Sequence, residues 1–558
     1  MGPLTSLGGD YAWHRSQAKG ARAHPLQRHT VQRLSVAVSL FGALFLVLGA
    51  RLAFLALFVS PAETGLAARS LATPMRAEIL DRNGAVLATQ IRSTILGAHP
   101  RAIMRPAKTA AGLKQIFPEL DESRLLDDFL LPRNPYFVIR RDVTPAEHKQ
   151  VLQLGEPGLK METVPKRVYP HGALTGHVVG FVNQDLVGLA GLEYVLDRSA
   201  EPHKGLLVSS LDVRVQHIVR ETLAAGMRLY RAQAAAGLVM DARSGEMLAM
   251  VSLPDFDPHR PQTASPAQRF NRTSLGVYEL GSVFKLYTAA MALETNRVTD
   301  GQQFDVRVPL RVGRHLIADA HGEERVLSLD EVIAYSSNVG AVQLALLVPA
   351  RAHWAFLERL GLMRRPQLDL PELAHPILPP QWGDVTRATV AFGHGIAVSP
   401  LQAIAAGAAL VNGGLYYEPH VQLGARRAPV RVLSEATSAR MRQMMRTAVT
   451  LGTGRQANLN AWQVLGKTGT AEKPGLGGYD EDRLVVSFLS AFPGHAPRYV
   501  LFVMLDEPQG IDATFGFAEA GWNVVPLSRE IIGRAAPLLG LTPTPPKEDG
   551  DATGRVAG

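Results

Sequence analysis

The chain has 558 residues, 46% of them hydrophobic, and a formal net charge of +8; that length allows roughly three or four structural units. Cysteine is absent, which excludes disulfides, a thiol nucleophile and a cysteine-based zinc site. Half of the net charge lies in residues 1–34, where Arg15, Lys19, Arg22, Arg28 and Arg33 face only Asp10; with no basic stripe interleaved with aromatics, the composition does not point to a nucleic-acid partner.

Residues 1–33 form a basic tail ahead of LSVAVSLFGALFLVLGARLAFLALFV, residues 34–59, whose only charge is Arg51. About 20 apolar residues span a bilayer. A cleavable signal peptide would have a shorter apolar region and a small-residue cleavage site. Here the second half is bulky (Phe54, Leu55, Leu57, Phe58), so an uncleaved single-pass transmembrane anchor is expected. Positive charge before the span places the N-terminus in the cytoplasm and the rest outside the inner membrane. Arg51 either snorkels to the interface or marks a contact with a membrane partner.

Residues 60–204 read as a β-rich structural pedestal or a partner-binding, dimerisation-type module. Asn83-Gly84 between Ile79-Leu80 and Val86-Leu87 predicts a hairpin. Helical stretches are expected near Ala107–Ile116 and Pro145–Gln153, and Gly172, Gly176, Gly180, Gly188 and Gly191 suggest turns. No nucleophile–base pair stands out in this region.

A second unit, residues 205–540, opens with Asp212 capping a helix to about Tyr230, with Val215, Ile218, Val219 and Leu223 on one face. Strands are expected at 237–241, 246–251, 464–470, 484–492 and 499–505, with a helix-rich segment over 282–450 and a C-terminal helix near 525–535. The fold class is α+β, with helices packed on a five-stranded antiparallel sheet. Residues 541–558, which carry Pro543, Pro545 and Pro546, read as a disordered tail.

Three short motifs follow one another in the second half: Ser282-Val283-Phe284-Lys285, Ser336-Ser337-Asn338 and Lys467-Thr468-Gly469-Thr470. Singly they are weak; Ser16-Gln17-Ala18-Lys19 matches the first equally well. Order and context carry the reading. Gly281-Ser282 opens an apolar helical run, so Ser282 sits at a helix start whose free N–H groups favour a developing anion. Lys285 is one turn on, on the same face. A serine hydroxyl needs a neighbour to take its proton, and a lysine does so when burial or another cation lowers its pKa. Phe284, Leu286 and Tyr287 offer an apolar surround. Ser336 can pass a proton between Lys285 and a leaving amine. Asn338, two residues on in a loop, can hold the lysine or accept a substrate amide. On the last strand, Lys467 and Thr468 can bind a carboxylate, and Gly469, without a Cβ, lets a substrate backbone pair alongside. The N–H groups of Thr470 and Ser282 can form an oxyanion hole. None of this chemistry requires a metal or cofactor.

With these motifs, NRTSLGVYELGSVFKLYTA (271–289), DARSGEMLAMVSLPDFDP (241–258), AFGHGIAVSPLQ (391–402), GTAEKPGLGGY (469–479) and GLAGLEYVLD (188–197), the chain resembles a class B penicillin-binding protein over roughly residues 35–540. Leu280 stands where that family often has Pro, Ala77 where it has Gly, and His394 where it has Gln or Tyr. The resemblance implies the penicillin-binding transpeptidase fold: a five-stranded antiparallel sheet with helices on both faces and a helical subdomain, preceded by a β-rich pedestal and one transmembrane helix. It also implies attack by Ser282 on the penultimate D-alanine carbonyl of a peptidoglycan stem peptide and loss of terminal D-alanine. An amine of a neighbouring stem then resolves the acyl-enzyme into a 4,3 cross-link, and β-lactams acylate the same serine. The implied partners are a membrane SEDS-type glycosyltransferase and other divisome proteins, and the wording is closest to the septal, FtsI-type branch. An elongation-branch transpeptidase, a carboxypeptidase or β-lactamase-type hydrolase, and a non-enzymatic division scaffold or β-lactam sensor are the competing readings.

Overall fold

The computed structural model describes residues 25–58, 76–198, 205–319, 324–425, 427–475 and 478–543. The chain divides into two compact units, Met1–Pro74 and Met75–Gly558. In the first, one helix runs over Pro25–Phe58, and its stretch Leu34–Ala53 is long and apolar enough to cross a membrane. It starts upstream of residue 34, within the basic segment, at a proline whose fixed φ suits a first helical turn. Residues 1–24 of the expected tail, Val59 at the end of the expected anchor, and all but 541–543 of the expected disordered end lie outside the described residues.

The second unit begins with the pedestal. The long strand Val86–Ala98 pairs with Glu78–Leu80, Phe137–Arg140 and Leu159–Val168. The expected hairpin closes through Asp81, whose Oδ1 accepts from the N–H groups of Asn83 and Ala85, both at 2.8 Å. Helices Pro106–Ile116 and Pro145–Gln153 lie where the sequence places them, and a third, Glu122–Leu130, was not foreseen. Its apolar residues Leu125 and Phe129 pack with Leu113 and Phe117 into a core separate from the main one. Strand Leu206–Val208 lies past residue 204 yet pairs in parallel with Glu78–Leu80. Ala77, Ile79, Leu87 and Leu192 also share one apolar cluster with Met240, Phe284 and Phe502. Residues 76–198 and the sheet-bearing part that follows are therefore joined by both backbone pairing and a common core.

After residue 208 the elements that build the main sheet and carry the motifs are, in chain order, α1 (Val213–Leu229), β1 (Ala234–Asp241), β2 (Met247–Leu253), α2 (Phe284–Glu294), α3 (Leu329–Ala334), α4 (Asn338–Leu347), α5 (Pro400–Val411), α6 (Glu435–Thr450), β3 (Leu465–Gly475), β4 (Gly478–Phe492), β5 (Tyr499–Asp506) and α7 (Val524–Leu538). The strands form one antiparallel sheet in the order β3-β4-β5-β1-β2. Strand side chains alternate between faces. Leu238, Met240, Phe502 and Met504 accordingly join the cluster under α2, α5 and α6, while Val239, Leu501, Val503 and Leu505 pack against α1 and α7. Burial on both faces explains the nearly continuous apolar runs of β1 and β5. It also leaves β3 at one edge, beside the helical segment.

Glu193 is fully buried and receives Arg76 Nε and Arg167 Nε, each at 2.6 Å; Arg167 is itself 1% exposed. Removing one partner of a buried ion pair strands the other charge. Glu193→Gln is expected to cost about 3–5 kcal/mol of stability, read as a fall in the urea midpoint of unfolding. Truncating the exposed pair Asp305–Arg307 should leave that midpoint unchanged.

Candidate active site

Three elements deliver the motifs to one place: the start of α2, the junction of α3 and α4, and edge strand β3. Gly281–Val283 forms a 3-10 turn that runs straight into α2. Gly281 has φ +53, in the left-handed region open to glycine. A Cβ there would stand 2.3 Å from Thr470 O. On the other side, a Cβ on Gly469 would stand 2.3 Å from Leu280 O and 2.9 Å from Val283 Cγ2. The two glycines let the serine turn and β3 approach with no side chain between them. The missing Cβ of Gly469 leaves room for the serine turn of the protein itself.

Ser282 is half-buried, and its hydroxyl makes no hydrogen bond among the described residues. Lys285 is 1% exposed and Lys467 is fully buried. Phe284, Leu286 and Tyr287 are buried around Lys285 as expected. Burial pulls the Lys285 ammonium down to about 7, with nearby Asp319 acting in the opposite sense. Burial lowers Lys467 well below the usual lysine value, and the charge of Lys285 adds to that effect.

Both lysines converge on Ser336. Lys285 Nζ donates to its carbonyl oxygen and, at 3.1 Å, to its Oγ. Lys467 Nζ donates to the same Oγ at 2.8 Å and to Thr468 O at 3.1 Å. Ser336 has φ +62, a conformation that costs a non-glycine residue about 1–3 kcal/mol. That backbone turn presents its carbonyl and its hydroxyl to the same amine. A hydroxyl oxygen has two lone pairs and one proton; with both lone pairs occupied by amines, the proton is left to be donated.

Asn338 is not in a loop: it opens α4, with Ser337 as the cap. Its Nδ2 donates to Ala318 O at 3.2 Å. Lys285 is held by Ser336 and not by Asn338. On β3, Thr468 Oγ1 lies 2.6 Å from Thr453 Oγ1, and Thr470 Oγ1 accepts from the Ala520 N–H at 3.3 Å. Thr470 O faces the Gly281 turn. In a strand the N–H and C=O of one residue lie on the same edge, so the Thr470 N–H is also on the serine side.

Asp319 is the residue that sequence reasoning missed. Its Oδ2 accepts from Ser337 Oγ at 2.6 Å, and its Oδ1 accepts from the N–H groups of Asn338 and, at 3.0 Å, Val339. It thereby ties down the start of α4 and the Ser336 turn ahead of it. Nothing local in Leu316-Ile317-Ala318-Asp319 signals this, because its partners are distant in sequence. Asp319→Ala removes three hydrogen bonds to a carboxylate. Stability is expected to fall by about 2 kcal/mol, with faster amide hydrogen exchange at Asn338 and Val339.

Comparison with known proteins agrees with this arrangement. The chain matches the penicillin binding protein transpeptidase domain over residues 235–522 and the penicillin-binding protein dimerisation domain over residues 71–222. It is 35% identical to the probable peptidoglycan D,D-transpeptidase FtsI of Caulobacter vibrioides, across 95% of this chain and 92% of that one. It is 30% identical to the stage V sporulation protein D of Bacillus subtilis, across 92% and 87%. The peptidoglycan D,D-transpeptidase FtsI of Escherichia coli is 26% identical, across 78% and 79%. Among solved structures, penicillin binding protein 3 of Mycobacterium tuberculosis complexed with aztreonam superposes with a TM-score of 0.66 at 26% identity, across 84% of this chain and 97% of that one. With the serine turn, the two buried lysines and the edge strand in one place, and with both domain matches in the expected order, the chain belongs to the class B penicillin-binding proteins, a dimerisation domain preceding its transpeptidase domain.

Proposed function

We propose that this protein is a peptidoglycan D,D-transpeptidase of the FtsI type, acting in septal wall synthesis through a Ser282 acyl-enzyme. The observation that carries the reading is the shared contact of Lys285 and Lys467 with Ser336 Oγ, at 3.1 and 2.8 Å. Lys285, lowered by burial, is the base that takes the Ser282 proton as Oγ attacks the penultimate D-alanine carbonyl. The N–H groups of Ser282 and Thr470 receive the oxyanion. As the C–N bond breaks, Ser336 gives its proton to the leaving D-alanine amine and is reprotonated by Lys285. Asn338, at the start of α4, accepts a substrate amide. Lys467 and Thr468 pair with the stem's terminal carboxylate, and that anion restores the charge on a lysine whose pKa burial has lowered. Gly469 keeps the edge of β3 close to Ser282, and the exposed edge pairs with the stem backbone. A second stem's amine then attacks the ester, forms the amide and returns Ser282. A β-lactam acylates the same serine, but its leaving nitrogen stays tethered and the ester persists.

The apolar Leu34–Ala53 stretch supports a single-pass inner-membrane anchor with a cytoplasmic N-terminus. Residues 60–204 would serve as pedestal and 205–540 as catalytic region, both in the periplasm. The anchor and pedestal would face a SEDS-type glycosyltransferase and other divisome proteins. A fluorescent fusion concentrated at mid-cell supports the septal role, and uniform lateral-wall labelling overturns it.

Ser282→Ala is expected to abolish fluorescent-penicillin labelling while leaving the thermal midpoint unchanged. Lys285→Ala should slow labelling by about 100- to 10,000-fold. Because the neutral amine is the base, the acylation rate should rise with pH through about 7 and then level off. A rate that falls across that range would refute Lys285 as base. Lys467→Ala should weaken donor binding more than it slows the acylation step. Release of penicilloyl-enzyme within seconds would favour a hydrolase and sink the transpeptidase reading.

A further inference from the structure

The serine turn is flanked, on its N-terminal side, by a polar cluster that the acylation half-reaction leaves unused. Glu279 lies three residues before Ser282. Its Oε1 accepts from the Gly395 N–H at 3.0 Å and from Tyr479 Oη at 3.1 Å. Its Oε2 is enclosed and has no hydrogen-bond partner among the described residues. His394 stacks on Tyr479, with ring centroids 4.9 Å apart and planes 28° from parallel. Its ring nitrogens likewise have no partner among the described residues. The neighbouring Gly393 packs on the serine turn itself, since a Cβ there would stand 2.2 Å from Gly281 O.

The electrostatics are those of a site awaiting a cation. Burial raises the Glu279 carboxyl above its usual value, so its negative charge is under-compensated. Burial, aided by the charge of Lys285, keeps the His394 imidazole below its usual value. A neutral imidazole with a free nitrogen is a hydrogen-bond acceptor. The Tyr479 ring adds an aromatic face, a surface that attracts ammonium groups. Tyr479, whose hydroxyl donates to Glu279, is 44% exposed. A donor carboxylate has no cationic partner among Glu279, His394 and Tyr479; the groups proposed to bind it are Lys467 and Thr468.

Resting on the transpeptidase reading above, we propose that Glu279, His394 and Tyr479 form the subsite that receives the protonated amine of the acceptor stem. Glu279 pairs with the ammonium, replacing the bond from Tyr479 Oη. His394 accepts a second N–H and takes that proton, so the freed lone pair of the amine attacks the ester carbonyl while Lys285 returns a proton to the departing Ser282 oxygen; the ring of Tyr479 covers the alkyl chain behind the amine. The subsite sets which nucleophile resolves the acyl-enzyme: a cationic amine over water or an uncharged competitor.

The test uses the full-length protein in detergent with a D-alanyl thioester as donor. Two acceptors are compared, Nα-acetyl-lysine, which carries an ammonium, and hydroxylamine, which is uncharged near neutral pH. The measured quantity is the ratio of aminolysis to hydrolysis for each acceptor. Glu279→Gln preserves an acceptor for Gly395 and Tyr479, and penicillin labelling of Ser282 reports that the variant is folded. Its ratio for Nα-acetyl-lysine should fall at least about tenfold, the worth of a charge-assisted hydrogen bond. The ratio for hydroxylamine should change less than about twofold. His394→Leu should show the same selective loss. An equal fall for both acceptors, or no change with either, overturns the subsite while leaving the acyl-enzyme reading intact. Failure of the wild-type protein to label at Ser282 overturns both.

Discussion

The active site depends on one arrangement: two buried amines sharing one hydroxyl. Lys285 and Lys467 both reach Ser336 Oγ, in a place where water cannot stabilise two positive charges. Removing two ammonium groups from water is costly, and both pKa values move down as a result. That cost brings the Lys285 ammonium down to about 7, when an exposed lysine would remain protonated. The same burial prepares Lys467 for an anion, because a bound carboxylate recovers part of the lost solvation. A single desolvated pocket thus shifts two identical side chains together, and the proposed base and carboxylate-binding roles rest on that shift.

The surrounding structure keeps these groups in register. Edge strand β3 and the serine turn touch through Gly281 and Gly469, where any side chain would wedge them apart. Asp319 fixes the start of α4 by accepting three hydrogen bonds, and the left-handed backbone of Ser336 is held between that cap and α3. Displacements of about 1 Å in such a constellation cost on the order of a hundredfold in rate. Close packing and capping are therefore part of the catalytic equipment. The common apolar cluster reaching from Ala77 to Phe502 ties this precision to the pedestal, so a contact made there meets a continuous solid.

Much of this was legible before folding. The apolar runs of β1 and β5, the Asp212 cap and the Asn83-Gly84 hairpin are local signals, and the elements follow them closely. Lys285 was expected to be buried because its neighbours Phe284, Leu286 and Tyr287 are apolar, and it is. Asn338 and Gly469 show where local reading ends. Each was assigned toward lysine or substrate, and each also contacts the protein's own backbone, Asn338 through Ala318 and Gly469 beside Leu280, which no local stretch announces. Helix Glu122–Leu130 was missed although Asp121 caps it, because its apolar face is short and gains its partners only from the neighbouring helix.

By itself the sequence determined the chemistry and the elements that bear it. A serine at a helix start, a lysine one turn on, and a Lys-Thr-Gly-Thr strand are defined by neighbours within a few residues, where periodicity and capping act. Tertiary structure alone decided which amines share Ser336, which carboxylate anchors its loop, and why two glycines face each other across the serine turn. It also assembled Glu279, His394 and Tyr479 from three separate segments. Those outcomes depend on the three-dimensional meeting of distant backbone and on the loss of water there, and neither quantity is written in any local stretch of the chain.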